Sequence, residues 1–212
     1  STEASSHTNT TQRERYPLTQ NQQAIWLDEA VYGASSMYNI GARYTITGAL
    51  QVSVLAQAIE YVVAGNENFG IRLHRNSEEE AVQTFEPQTD FRTPMIDFSG
   101  TEDAEARCLA WMDERFEQPF ALYDAALYDF VILKASEEQF FFLMKAHHLI
   151  LDGWGFSLLV RAVRHGPCSR MPSLPSASML GRATLCSLQA VAAILNVCDM
   201  QGKPHATTQT SS

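Results

Sequence analysis

Apolar positions recur along this chain with two periods, and the switches between them mark the elements it should form. Residues 17–29 read as a helix with Trp26 and Leu27 towards a core, and Pro17 stands in a first turn that tolerates its missing N–H. Residues 43–47, closed by Gly48, read as a strand. Val54, Leu55, Ala58, Ile59, Val62 and Val63 return to helical spacing, and Gly65 with Asn66 supplies the stop. Two short strands follow around residues 69–74 and 81–85. Ser99 followed three residues later by Glu102 has capping-box form, and Ala104, Cys108, Trp111, Met112 and Phe116 make the buried stripe of the helix it would open. The strongest strand pair is residues 126–133 and Gln139–His147, with a turn-like stretch at 134–138. Phe140 to Met144 is apolar on both faces, which predicts a central strand in a sheet covered on both sides. The alternation of helices and strands predicts an α/β (α+β) domain with a mixed sheet and helices packed on it.

Composition divides the chain into three zones. Residues 1–15 are rich in Ser, Thr and Gln and read as a flexible lead-in, residues 16–164 carry the periodic pattern, and residues 165–212 differ in kind. That last zone has one acidic residue, Asp199, against Arg170, Arg182 and Lys203, with Pro167, Pro172 and Pro175 in a Ser-rich run. Its apolar stretch at 185–197 is expected to be helical, and the remainder to be disordered. With 45% apolar residues among 212, the chain can build one sizeable core or two small ones.

Charge narrows the partners. Fifteen Lys and Arg stand against 24 Asp and Glu, so a phosphate-tracking surface has little to be made from and nucleic acid is not an expected partner. No run approaches the roughly 18 apolar residues of a membrane span, and residues 1–12 lack the apolar centre of a secretory signal. A cytoplasmic protein without a membrane partner is expected. Cys108, Cys168, Cys186 and Cys198 fit no compact metal motif, and Cys108 reads as a small core residue on a helix.

The chemistry concentrates where the expected central strand runs into His147-His148-Leu149-Ile150-Leu151-Asp152-Gly153-Trp154. Three readings compete. The histidines could end a strand while Asp152 N-caps the next helix. The two imidazoles and the carboxylate could bind a metal, but neighbouring strand residues point to opposite faces and share one ion poorly. One histidine could instead face a cleft with an ordinary pKa of about 6.5, ready to accept a proton at neutral pH.

The H-H-x-x-x-D-G pattern resembles the active-site signature of the condensation domains of nonribosomal peptide synthetases, within the chloramphenicol-acetyltransferase-like superfamily. Pro17 to Gln22 with Ile25-Trp26 is similar to that family's opening segment, and Pro119-Phe120 with Leu122 to the turn before its paired strands. The resemblance covers residues 16–163 and implies amide formation between two thioesters held on the phosphopantetheine arms of peptidyl or acyl carrier proteins, with no cofactor of the domain's own. It assigns His148 to the chemistry, makes His147 buried and structural, gives Asp152 an ion pair that holds the loop, and lets Gly153 bring the backbone close to substrate. Epimerization domains share the histidine pair, and simple acyltransferases of the superfamily share one histidine. Trp154-Gly155-Phe156-Ser157-Leu158 is closer to a condensation domain.

Two departures qualify this expectation. The family's R-H-E-x-L-R segment corresponds to Gly65-Asn66-Glu67-Asn68-Phe69-Gly70, so both arginines that help to fix the signature loop are glycine, leaving Arg72 or Arg43 as replacement partners for Asp152. The family also has two lobes around a tunnel, and the resemblance ends after the first. The expectation is therefore an N-terminal lobe with the C-terminal lobe missing, its sequence broken near codon 164 by a frame shift or truncation. Such a chain would be inactive, or would be an inert remnant or carrier-protein docking module.

Overall fold

The computed structural model describes residues 14–152, residue 155 and residues 195–199. Its elements in chain order are β1 (Tyr16–Pro17), α1 (Gln20–Tyr32), β2 (Asn39–Thr47), α2 (Val52–Ala64), β3 (Ile71–Arg75), β4 (Ala81–Phe85), β5 (Met95–Asp97), α3 (Ala104–Glu117), β6 (Tyr128–Lys134), β7 (Gln139–His147) and β8 (Leu195–Asp199). Five strands form a sheet in the order β5-β6-β7-β2-β8, and three more form a smaller sheet, β1-β4-β3. The larger sheet is mixed, because β5 runs parallel to β6 while the other neighbours are antiparallel. This is the expected class.

β7 lies at the centre of that sheet, and its two-residue period divides the core. Phe140, Phe142, Met144 and Ala146 pack with Leu55, Ile59 and Val63 of α2 on one face. Phe141 and Leu143 pack with Cys108 and Met112 of α3 on the other. Each such side chain contributes about 1.5–3 kcal/mol on burial, so a strand apolar on both faces is held from both sides. Burial pushes the Cys108 thiol up to about 11.

Four local expectations are corrected. α1 starts at Gln20, not at Pro17, because Thr19 closes a capping box: its Oγ1 accepts the Gln22 N–H at 3.3 Å and Gln22 Oε1 accepts the Thr19 N–H at 2.9 Å. Pro17 belongs to the edge strand β1, where a residue without a donor is tolerated. Leu27 is half exposed, while Trp26 packs against the core and donates its Nε1–H to Tyr123 Oη at 2.7 Å. The box expected at Ser99 does not form. Ser99 N–H and Oγ–H both turn back to Asp97 Oδ1, at 2.8 and 2.6 Å, and α3 opens after Asp103 without a side-chain cap.

Leu195–Asp199 is a strand, although the helical pattern was expected to reach residue 197. It pairs antiparallel with 42–46 of β2, whose outer backbone groups otherwise lack a strand partner. Residues 185–194 of that stretch, and the lead-in at 1–13, lie outside the described residues. Among the described residues no helix is long and apolar enough to cross a membrane.

Candidate active site

The signature turn is built by His147 folding back on its own chain. The His147 N–H donates to Leu127 O at 2.8 Å, and beyond it the Leu149 N–H donates to His147 Nδ1 at 3.1 Å and the Ile150 N–H to His147 O at 3.1 Å. With Nδ1 accepting, the neutral ring carries its proton on Nε2. The side chain is fully buried, and burial, aided by repulsion from His148 and Lys145, pushes its pKa down to about 4. His147 is therefore neutral at pH 7. Its Nε2 lies 3.2 Å from Oε2 of Glu29, a residue of α1 that is only 6% exposed.

His148 is placed differently. Its N–H is held by Tyr38 O at 2.8 Å, and its imidazole is exposed at the wall of a cleft of about 470 Å³. Leu151, Asp152, Thr19, Gln22 and Asn68 line the same cleft. His147, the last residue of β7, is thus buried while His148, the first of the turn, is exposed, and the two rings do not converge on one ion.

Asp152 is exposed, and its Oδ1 accepts the Gly155 N–H at 2.6 Å. That is the capping contact, not the expected ion pair. Among the described residues no cation pairs with Asp152. Arg43 is paired with Asp113 at 2.9 Å, and Arg72 donates to the carbonyls of Phe69 and Ile71 at 2.9 and 2.8 Å. An exposed carboxylate escapes the desolvation cost that an unpaired buried one carries, so the loop needs no replacement arginine. Gly70 explains one of the lost arginines: a Cβ there would stand 2.3 Å from Glu86 O, so the backbone approach leaves no room for a side chain. Gly153 lies outside the described residues.

Three further residues shape the site without having been singled out by the sequence. Gln22 exchanges amide hydrogen bonds with Gln83 at 3.1 Å in both directions, and its Nε2 also donates to Leu149 O at 3.3 Å. Lys145 donates to Arg115 O at 2.8 Å and Gln118 O at 2.5 Å, and burial lowers its pKa to about 8. Glu29 is the third. The available signal was spacing, because Gln22 and Glu29 are seven apart and share a helix face with Ile25 and Trp26, where polar side chains need a buried partner.

Comparison with known proteins agrees with this geometry. The condensation-domain family model matches residues 12–169, and the chain belongs to that family. It is 28% identical over 149 residues to a dimodular nonribosomal peptide synthase of Bacillus subtilis (strain 168), covering 70% of this chain and 6% of that protein. It is also 28% identical over 150 residues to an isonitrile lipopeptide synthase of Streptomyces coeruleorubidus, covering 71% of this chain and 10% of that one. Among solved structures, the starter condensation domain of a rhizomide synthetase superposes with a TM-score of 0.64 at 25% identity, over 72% of this chain and 37% of that one. The first condensation domain of the calcium-dependent antibiotic synthetase, solved with a substrate analogue, gives 0.60 at 26% identity over 76% and 40%. The chain thus spans well under half of the condensation domains it resembles.

Proposed function

We propose that this chain supplies the histidine-bearing lobe of an amide-forming condensation centre, with His148 as the reacting group. The observation that carries this reading is an exposed imidazole at the end of the central strand, opening on a cleft and backed by a neutral, buried His147. The amine of an acceptor aminoacyl thioester attacks the carbonyl of a donor acyl thioester. A C–N bond forms, the C–S bond breaks, and the leaving sulfur takes the donor arm with it. His148 accepts the proton that the amine loses and returns it to the thiolate, a role worth typically about 10²–10⁴-fold. Holding that amine beside the carbonyl adds a positioning effect. His147 and Asp152 hold the turn, and Gly153 lets the backbone approach substrate. In this reading the substrates arrive on the phosphopantetheine arms of peptidyl or acyl carrier proteins in the cytoplasm, a second lobe closes the tunnel, and the chain needs no cofactor of its own.

The test is acyl transfer from an acyl-loaded to an aminoacyl-loaded carrier protein in the presence of the chain. Amide product above background that falls about 10²-fold or more in His148→Ala supports the proposal. Equal rates for both proteins favour carrier binding without turnover. The glycines at 65 and 70, where the resemblance places arginines, favour that second reading.

A further inference from the structure

We propose that Glu29 is a positioning residue of this centre: from the last turn of α1 its buried carboxyl group neighbours His147 and, through the turn that His147 organises, sets where His148 meets the cleft. The inference rests on reading His148 as the reacting group. Glu29 Oε2 and His147 Nε2 are both buried and approach to 3.2 Å as an ion-pair contact, and neither makes a well-aligned hydrogen bond to any described residue, the other included. Each is the polar neighbour that offsets the other's desolvation. The backbone N–H of Ser35 faces the same carboxyl group and draws its pKa down, against the effect of burial. The chain then runs from Ser35 to Tyr38, whose carbonyl accepts the His148 N–H at 2.8 Å and whose hydroxyl donates to Asp28 Oδ2 at 2.8 Å. Three segments, the end of α1, the 35–38 turn and the signature turn, therefore close around one carboxyl group.

The chemistry explains why an acceptor is placed there. An oxygen facing Nε2 favours the ring tautomer protonated at that nitrogen, and this leaves Nδ1 free to accept the Leu149 N–H. An apolar residue at 29 would remove that bias and take away the only polar neighbour that the described residues give the buried Nε2–H.

Two variants separate these roles. Glu29→Gln retains an acceptor oxygen, and Glu29→Leu removes it. Imidazole nitrogen resonances report the His147 tautomer, and amide exchange at Leu149 and Ile150 reports the turn. Glu29→Gln is expected to keep the Nε2–H tautomer and exchange rates close to the parent. Glu29→Leu is expected to speed exchange at both amides by about tenfold or more while the amides of β6 keep their protection. Parent-like exchange and tautomer in Glu29→Leu would overturn the proposal. Should that variant not fold, Glu29→Asp, with its carboxyl withdrawn by one methylene, decides in its place on the same two readouts. In the transfer assay the rate should follow the exchange data, with Glu29→Gln near the parent and Glu29→Leu lower. Absence of transfer in the parent would count against the proposed function alone, because tautomer and exchange judge Glu29 without it.

Discussion

The chemistry of His147 lies well away from that of an exposed imidazole, and its effect on stability has a definite sign. Its folded pKa, about 4, lies below the ordinary value of 6.5. The unfolded chain therefore takes up a proton in the interval where the folded one does not. The His147 contribution is fully present above pH 6.5, is lost as pH falls towards 4, and then levels off, a swing of roughly 3 kcal/mol at most. Glu29, whose carboxyl is raised chiefly by burial, works in the opposite sense. A direct titration separates them: the His147 ring resonances should stay flat from pH 8 to about 5. A midpoint near 6.5 would show a ring open to water. Gly70 gives a second residue-scale prediction. Gly70→Arg, which restores the family residue, should destabilise by about 1–3 kcal/mol in urea unfolding because its Cβ meets Glu86 O. At this scale the contrast between a buried His147 and an exposed His148 was legible from the signature they share, whereas the partners of Asp152 and Glu29 depend on contacts between distant segments.

Helix caps show how far local pattern reaches at the scale of elements. Of two boxes, Thr19 with Gln22, which was not expected, and Ser99 with Glu102, which was, the structure forms the first. The second yields to a tighter local option, because Asp97 lies two residues before Ser99 and captures both its N–H and its hydroxyl. Thr19→Ala should therefore cost about 1 kcal/mol, and Ser99→Ala should stay within about 0.5 kcal/mol, by the same urea midpoints. Similar losses for both would refute this assignment. The apolar stripes of α2 and α3 and the two-faced character of β7 were correctly legible, since each element's burial is dictated by its own periodicity. The start of α1 was not. Pro17 suits a first helical turn and an edge strand equally well, and pairing with β4 decides between them.

For the whole molecule, the question is what β8 contributes. Among the described side chains, α2 and the small sheet cover one face of β7, and α3 covers the other. β8 joins the sheet beyond β2, one strand removed from β7. Its backbone pairing along 42–46 of β2 occupies an edge that would otherwise offer unpaired N–H and C=O groups to another chain. Leu27, Val31, Tyr32 and Met37, at or just after α1, are exposed large apolar side chains that add to the tendency to associate. A chain ending at residue 164 should therefore keep its cooperative unfolding and helical circular dichroism. It should also sediment as concentration-dependent oligomers under conditions where the full chain does so less. Sequence alone read residues 165–212 as a zone apart, because pairing between residue 42 and residue 199 leaves no trace in either segment's own pattern. Equal sedimentation of the two chains would show that β8 protects nothing. Loss of cooperative unfolding in the shortened chain would place part of the lobe's stability beyond residue 164.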